Sequence, residues 1–252
     1  MALDKLVDST QLDADLTSVA NAIRTKGGTS ASLAFPTEFV QAIADIPSGG
    51  GYTIEEIATL AEPSGDIVYA GTSMASHGLD YRSGIMSFTA PNVTTVPADV
   101  LNNCSNCTDL YFPELRTTTG AAFRYCGKDY STGTAVFPKA TSFAVRTFDR
   151  APRAAVDIGP NYTGSFLSDC FYHNGGRQTI GALIIRYAGG VVPAATTDAI
   201  NGLRDVYVPS ALISSYEAAT NWSTRVAGGY ITFHAIEGSQ YDGYWANGDP
   251  IA

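Results

Sequence analysis

Phe88-Thr89-Ala90-Pro91, Leu110-Tyr111-Phe112-Pro113, Ala135-Val136-Phe137-Pro138 and Val206-Tyr207-Val208-Pro209 are four copies of one short phrase. Asp157-Ile158-Gly159-Pro160 is a weaker copy, and Leu183-Ile184-Ile185-Arg186 reads as one that has lost its proline. The closing positions 91, 113, 138, 160, 186 and 209 are separated by 22, 25, 22, 26 and 23 residues. Apolar side chains two apart within each phrase predict a strand with one buried face, so Leu110, Phe112, Val206 and Val208 should point inward. Proline cannot donate to a ladder and fits at a strand end. A repeat in the low twenties cannot bury its apolar face alone, whereas stacked copies share a continuous core.

Further positions repeat with the phrase. Val93, Leu115 and Ala140 lie two residues beyond the proline, and Leu101, Phe123, Phe148 and Cys170 about ten beyond. Three residues on stand Cys104, Cys126 and Ala151, which suits small buried side chains. These residues resemble the irregular leucine-rich repeats of BspA-like proteins, with Phe112-Pro113-Glu114-Leu115 and Ala121-Ala122-Phe123-Arg124-Tyr125-Cys126 as the best copy. The stretch from Leu203 to Pro209, followed by Tyr216 and Trp222, resembles the last repeat and cap of such proteins.

The 252 residues carry 15 basic and 24 acidic side chains, a net charge of -9, which argues against a nucleic-acid partner. No run of eighteen apolar residues occurs, so no membrane insertion is expected. The first residues lack the apolar centre of a signal peptide. Cys104-Ser105-Asn106-Cys107 is a C-x-x-C, but no second pair follows at zinc-site spacing. The four cysteines therefore read as buried thiols, with no metal and no cofactor.

Residues 1–48 form a distinct helical module. Leu12, Leu16, Val19 and Ile23 follow steps of four, three and four, the spacing of a helical seam. Phe35, Phe39, Val40, Ile43 and Ile46 make the apolar face of a second short helix. Either the two helices fold on themselves or against the repeat domain, or they attach the protein to copies of itself or to a larger assembly. Pro47-Ser48-Gly49-Gly50-Gly51 then reads as a linker. The run from Leu16 to Arg24, Lys26-Gly27-Gly28-Thr29, Leu33-Ala34-Phe35-Pro36 and Phe39-Val40-Gln41-Ala42-Ile43 resembles the amino-terminal module of phage and prophage tail-associated and virion accessory proteins.

The expected fold is mixed α+β. A helical attachment and oligomerisation module (1–48) precedes a Gly-rich linker and amino-terminal cap (49–84). Five to six leucine-rich-type repeats (85–220) form an irregular BspA-like solenoid, and a carboxy-terminal cap and tail (221–252) close it.

Chemistry-bearing motifs are scarce. Thr72-Ser73-Met74-Ala75-Ser76-His77 is similar to a subtilase serine segment but has no companion Asp and His segments. Carboxylates such as Asp149, Asp157 and Asp169 are scattered through loops, so no enzyme is expected. The chain has 14 tyrosines, and a ring with few rotatable bonds gives contact area at low entropic cost. Loops at 128–133 and 173–178 lengthen the period, and such insertions often carry binding. Tyr125, Tyr130, Tyr172, His173, Asn174 and Arg177 are thus the candidate ligand contacts, while Leu12, Leu16, Val19, Ile23, Phe35, Phe39 and Ile43 are the candidate attachment residues.

The resemblance to virion proteins implies a non-enzymatic structural protein of a phage or phage-derived particle, of the tail-fibre or receptor-binding type. Its partners would be other virion structural proteins, through the amino-terminal helices, and a host surface glycan or protein. A homo-oligomer is implied, with a trimer favoured for a fibre-like part. A capsid decoration or head fibre protein is one alternative, and a bacterial surface adhesin another.

Overall fold

The computed structural model describes residues 16–17, 65–173 and 178–251. The chain divides into two compact units, Met1–Gly50 and Gly51–Ala252. Leu16 and Thr17 are helical, with Leu16 half-buried. The other expected attachment residues, Leu12, Val19, Ile23, Phe35, Phe39 and Ile43, lie outside the described residues, as does the Gly-rich linker.

The second unit is built on one eight-stranded sheet. Its strands are β1 (Gly65–Val68), β2 (Ile85–Thr89), β4 (Asp109–Tyr111), β6 (Thr134–Phe137), β7 (Arg153–Ile158), β8 (Ile180–Ile185), β9 (Asp205–Val208) and β10 (Thr232–Ala235). They follow one another in chain order, and every neighbouring pair is parallel. Two-residue strands β3 (Thr95–Val96) and β5 (Thr117–Thr118) pair separately. Two six-residue helices, α1 (Ile213–Ala218) and α2 (Trp222–Ala227), lead into β10.

The ladder places equivalent residues side by side. Phe88, Leu110, Ala135, Val156, Leu183, Val206 and Phe233 form one inward row, and all are buried. Through the interior runs an unbroken column of rings, Tyr69, Phe88, Phe112, Phe137, Phe148, Phe171, Phe166, Trp222 and Phe233, with centroids of successive rings 5.4 to 6.2 Å apart. Each such pair adds about 0.5–1.5 kcal/mol beyond the area it buries. The four cysteines sit within this interior as free, buried thiols, and burial pushes those of Cys104 and Cys170 up from their ordinary values.

These findings correct the expected class. The described residues form an α/β-like parallel sheet with few helices, in place of the expected mixed α+β class and leucine-rich solenoid, while the expected helical module of residues 1–48 lies outside them apart from Leu16 and Thr17. The apolar alternation registers only one face of each strand, and that is where the expectation fails. β7 and β8 are buried on both faces, as parallel strands commonly are. Their outer face, with Ala155, Ala182 and Ile184, is covered by the carboxy-terminal segment through Ile236, Tyr241 and Ala246.

Two register assignments also change. Pro91, Pro113, Pro138 and Pro209 each stand two residues beyond paired partners Thr89, Tyr111, Val136 and Tyr207. In the fourth copy the residue two beyond the partner Asp157 is Gly159, one before Pro160. At the loop position of Phe123 and Phe148 the next copy supplies Phe171 instead of Cys170, its ring stacked on Phe148 at 5.4 Å.

Candidate functional site

Between strands the chain turns corners, each burying one large side chain: Phe123, Phe148 or Phe171. Residues beside them adopt left-handed backbone: Tyr125 (φ 53°), Arg146 (59°), Arg150 (51°) and Asp169 (59°). That conformation costs an L-residue about 1–2 kcal/mol. Hydrogen bonds between successive corners hold it, from Tyr125 N to Asp149 O (3.0 Å), Arg146 N to Ser168 O (3.1 Å) and Arg150 N to Tyr172 O (2.8 Å). Side chains one repeat apart are thereby brought into contact.

The result is a charged and aromatic cluster around a concavity of about 390 Å³. The Arg150 guanidinium lies over both Tyr125 (5.4 Å) and Tyr172 (5.9 Å), and it donates to the Tyr125 hydroxyl. Arg124 also lies over the Tyr125 ring, at 4.8 Å. Arg124 Nε donates to Asp149 Oδ2 at 3.0 Å, and Arg150 Nε stands 3.8 Å from Asp149 Oδ1. Asp149 is 4% exposed. Burial pushes its carboxyl up, and the two guanidinium groups pull the other way. Arg146 Nε meets Asp169 Oδ2 at 3.3 Å, and Asp198 completes the rim. Three guanidinium groups are thus matched by three carboxylates beside tyrosine rings. Such a surface offers fixed donors, fixed acceptors and a stacking face for a polar ligand.

A second, open groove of about 620 Å³ is lined by Lys128, Asp129, Tyr130, Pro152, His173, Gln178 and Arg204. Asp129 Oδ1 shapes the first loop by accepting from Ser131 N (2.8 Å) and Ser131 Oγ (2.7 Å). The Ser131 hydroxyl and N–H hold the Asp129 carboxyl below its usual range. Gly133 closes the loop at φ +75°, where a Cβ would come 2.3 Å from Thr108 O. Only glycine suits both conditions.

The expected contacts therefore divide between two concavities. Tyr125 and Tyr172 clamp Arg150 beside the first, and Tyr130 and His173 line the second. Asn174 and Arg177 lie outside the described residues. Sequence reasoning overlooked Arg124, Arg146, Arg150, Asp198, Lys128 and Arg204. A signal for several of them was present, since Arg124 and Asp149 are one repeat apart, as are Tyr125 and Arg150, and Arg146 and Asp169. Among the described residues no group of three His, Cys, Asp or Glu side chains is placed to hold a metal ion, and no helix is long and apolar enough to cross a membrane.

Comparison of the chain with family models, with curated proteins and with solved structures returns no match.

Proposed function

We propose that the protein is a non-enzymatic structural component of a phage or phage-derived particle, displayed to bind a host cell surface. The observation that carries the recognition part is Arg150, held between the Tyr125 and Tyr172 rings at the mouth of a charge-matched concavity. A guanidinium pinned this way loses little freedom when a ligand arrives, so a weak polar contact yields usable affinity. The particle setting rests on the resemblance of residues 16–43 to virion accessory proteins. The amino-terminal module attaches the chain to other virion proteins or to copies of itself.

Binding of the labelled full chain to a panel of bacterial cells tests the recognition reading. Arg150→Ala and Tyr172→Ala should each lower binding to a positive strain at least tenfold, with circular dichroism unchanged. The bound surface material should be recovered chemically intact. Undiminished binding by both variants, or cleavage of that material, overturns the reading. For the attachment part, Leu16→Asp in the full chain should lower the mass measured by light scattering. An unchanged mass overturns self-association through that seam.

A further inference from the structure

The open groove lined by Lys128 and Tyr130 adjoins a third depression, of about 80 Å³, which shares Gln178 and Arg204 with it and adds Asn201, Arg225 and Tyr230. The chemistry along this path differs from that of the charge-matched cluster. Lys128, Arg204 and Arg225 supply three cations, and Asp129 is the one carboxylate on the lining. Asp129 is already engaged by the Ser131 hydroxyl and N–H. Among the described residues neither Lys128 nor Arg204 has an ion-pair partner. This stands out in a chain of 24 acidic and 15 basic residues.

Aromatic side chains line both parts of the path, Tyr130 the groove and Tyr230 the depression. Tyr130 is 56% exposed and Tyr230 57%, so both rings are open to a ligand. Tyr230 is held in place by the Arg225 guanidinium, 4.4 Å from its centroid. Arg225 in turn is fixed by donating from Nη2 to Asn201 O at 3.0 Å. Gln178 is likewise positioned, with Nε2 donating to Ile180 O (3.1 Å) and Gly181 O (3.3 Å).

Unpaired cations between exposed rings match a ligand whose flat, weakly polar faces alternate with fixed negative charge. We infer that this path is a binding subsite for an acidic saccharide. A sugar ring would stack on Tyr130 or Tyr230, and its carboxylate would be taken by Arg204 with Lys128. Guanidinium binds a planar carboxylate through two parallel N–H bonds, which ammonium cannot do, so Arg204 carries most of the discrimination. A nucleic acid fits the path poorly, because its closely spaced phosphates would meet a chain of net charge -9. The inference rests on the surface-recognition reading above and names a ligand class for it.

The test is calorimetric titration of the full chain with a galacturonic acid hexamer. Its methyl ester, a neutral galactose hexamer and a glycerol phosphate oligomer serve as comparisons. The free acid should bind at least tenfold more tightly than the ester or the neutral sugar. Arg204→Gln should weaken it at least tenfold, and Lys128→Gln by a smaller factor, with melting temperatures unchanged. Tyr230→Ala should weaken acid and neutral sugar alike. Equal binding of acid and ester, no effect of Arg204→Gln, or preference for the glycerol phosphate oligomer overturns the inference. Absence of binding to every hexamer with cell binding intact overturns the acidic-saccharide assignment alone. Loss of cell binding with the acid still bound overturns the host-surface reading instead.

Discussion

Arg186 grips Asp157 with two parallel hydrogen bonds, both 2.8 Å, across the outer face of the sheet. The same guanidinium donates to the carbonyls of Tyr241 (3.1 Å) and Tyr244 (2.6 Å), and it lies 4.9 Å from the Trp245 ring centroid. Ala246 N donates to the second Asp157 oxygen at 2.8 Å. One ion pair, 9% and 0% exposed at its two side chains, therefore fastens the carboxy-terminal segment over β7 and β8.

Removing one member of that pair should cost more than removing both. Arg186→Met strands a buried carboxylate, and the expected loss is about 3–5 kcal/mol. Asp157→Asn combined with Arg186→Met leaves an amide oxygen able to accept from Ala246 and no buried charge. The double variant should recover more than half of the loss in urea unfolding. Equal destabilisation of single and double variants would show that the pair is not the fastening.

Alkaline conditions should weaken the fold. Burial raises the pKa values of Cys104, Cys170, Tyr162 and Tyr216 above their ordinary ones. In the unfolded chain these groups ionise at about 8.5 for cysteine and about 10 for tyrosine. Above those values the folded state holds more protons, so stability falls as pH rises, by about 1.4 kcal/mol per unit for each group. Cys107 is raised as well, chiefly by its hydrogen bond with Cys126, and adds to that fall, while the same bond shifts Cys126 the other way. Urea midpoints should be flat from pH 7 to 8 and should fall steeply between pH 9 and 11. A flat profile to pH 11 would refute the assignment.

Within the ring column, Phe148 touches Phe123, Phe137, Phe143 and Phe171, all at 5.4 to 5.7 Å. Phe148→Ala should therefore cost about 3–5 kcal/mol in chemical denaturation. A loss below about 1 kcal/mol would mean that the column repacks around the gap.

Much of the sheet was legible because proline and paired apolar residues mark strand ends locally, as at Phe112-Pro113 and Val208-Pro209. The outer face was not, because its cover comes from far along the chain. Ala246 reaches Asp157 across 89 positions, with no local periodicity to announce it. Asp157 and Arg186 looked like departures from the repeat, and the structure joins them as partners. In the candidate site, tyrosines drew attention by residue type alone. Their guanidinium partners became visible only once residues 25 apart, such as Tyr125 and Arg150, were neighbours.

Gly159 explains why the fourth copy shifts by one. It occupies the place that proline holds in the first three copies and in the last, and its N–H donates to Phe137 O at 3.1 Å. A Cβ there would come 1.8 Å from Pro138 O and 2.5 Å from Pro138 C. Those are backbone atoms just beyond the end of β6, so no side-chain rotation relieves the clash, and the chain ends after β6 and β7 would have to separate. Gly159→Ala should cost about 1–3 kcal/mol or more. Gly190→Ala, where the added carbon meets nothing within 4 Å, should change stability by less than about 0.5 kcal/mol. Thermal unfolding of the two variants side by side decides the matter. Equal melting temperatures would mean that the close approach of the two strands at Gly159 does not constrain the sheet.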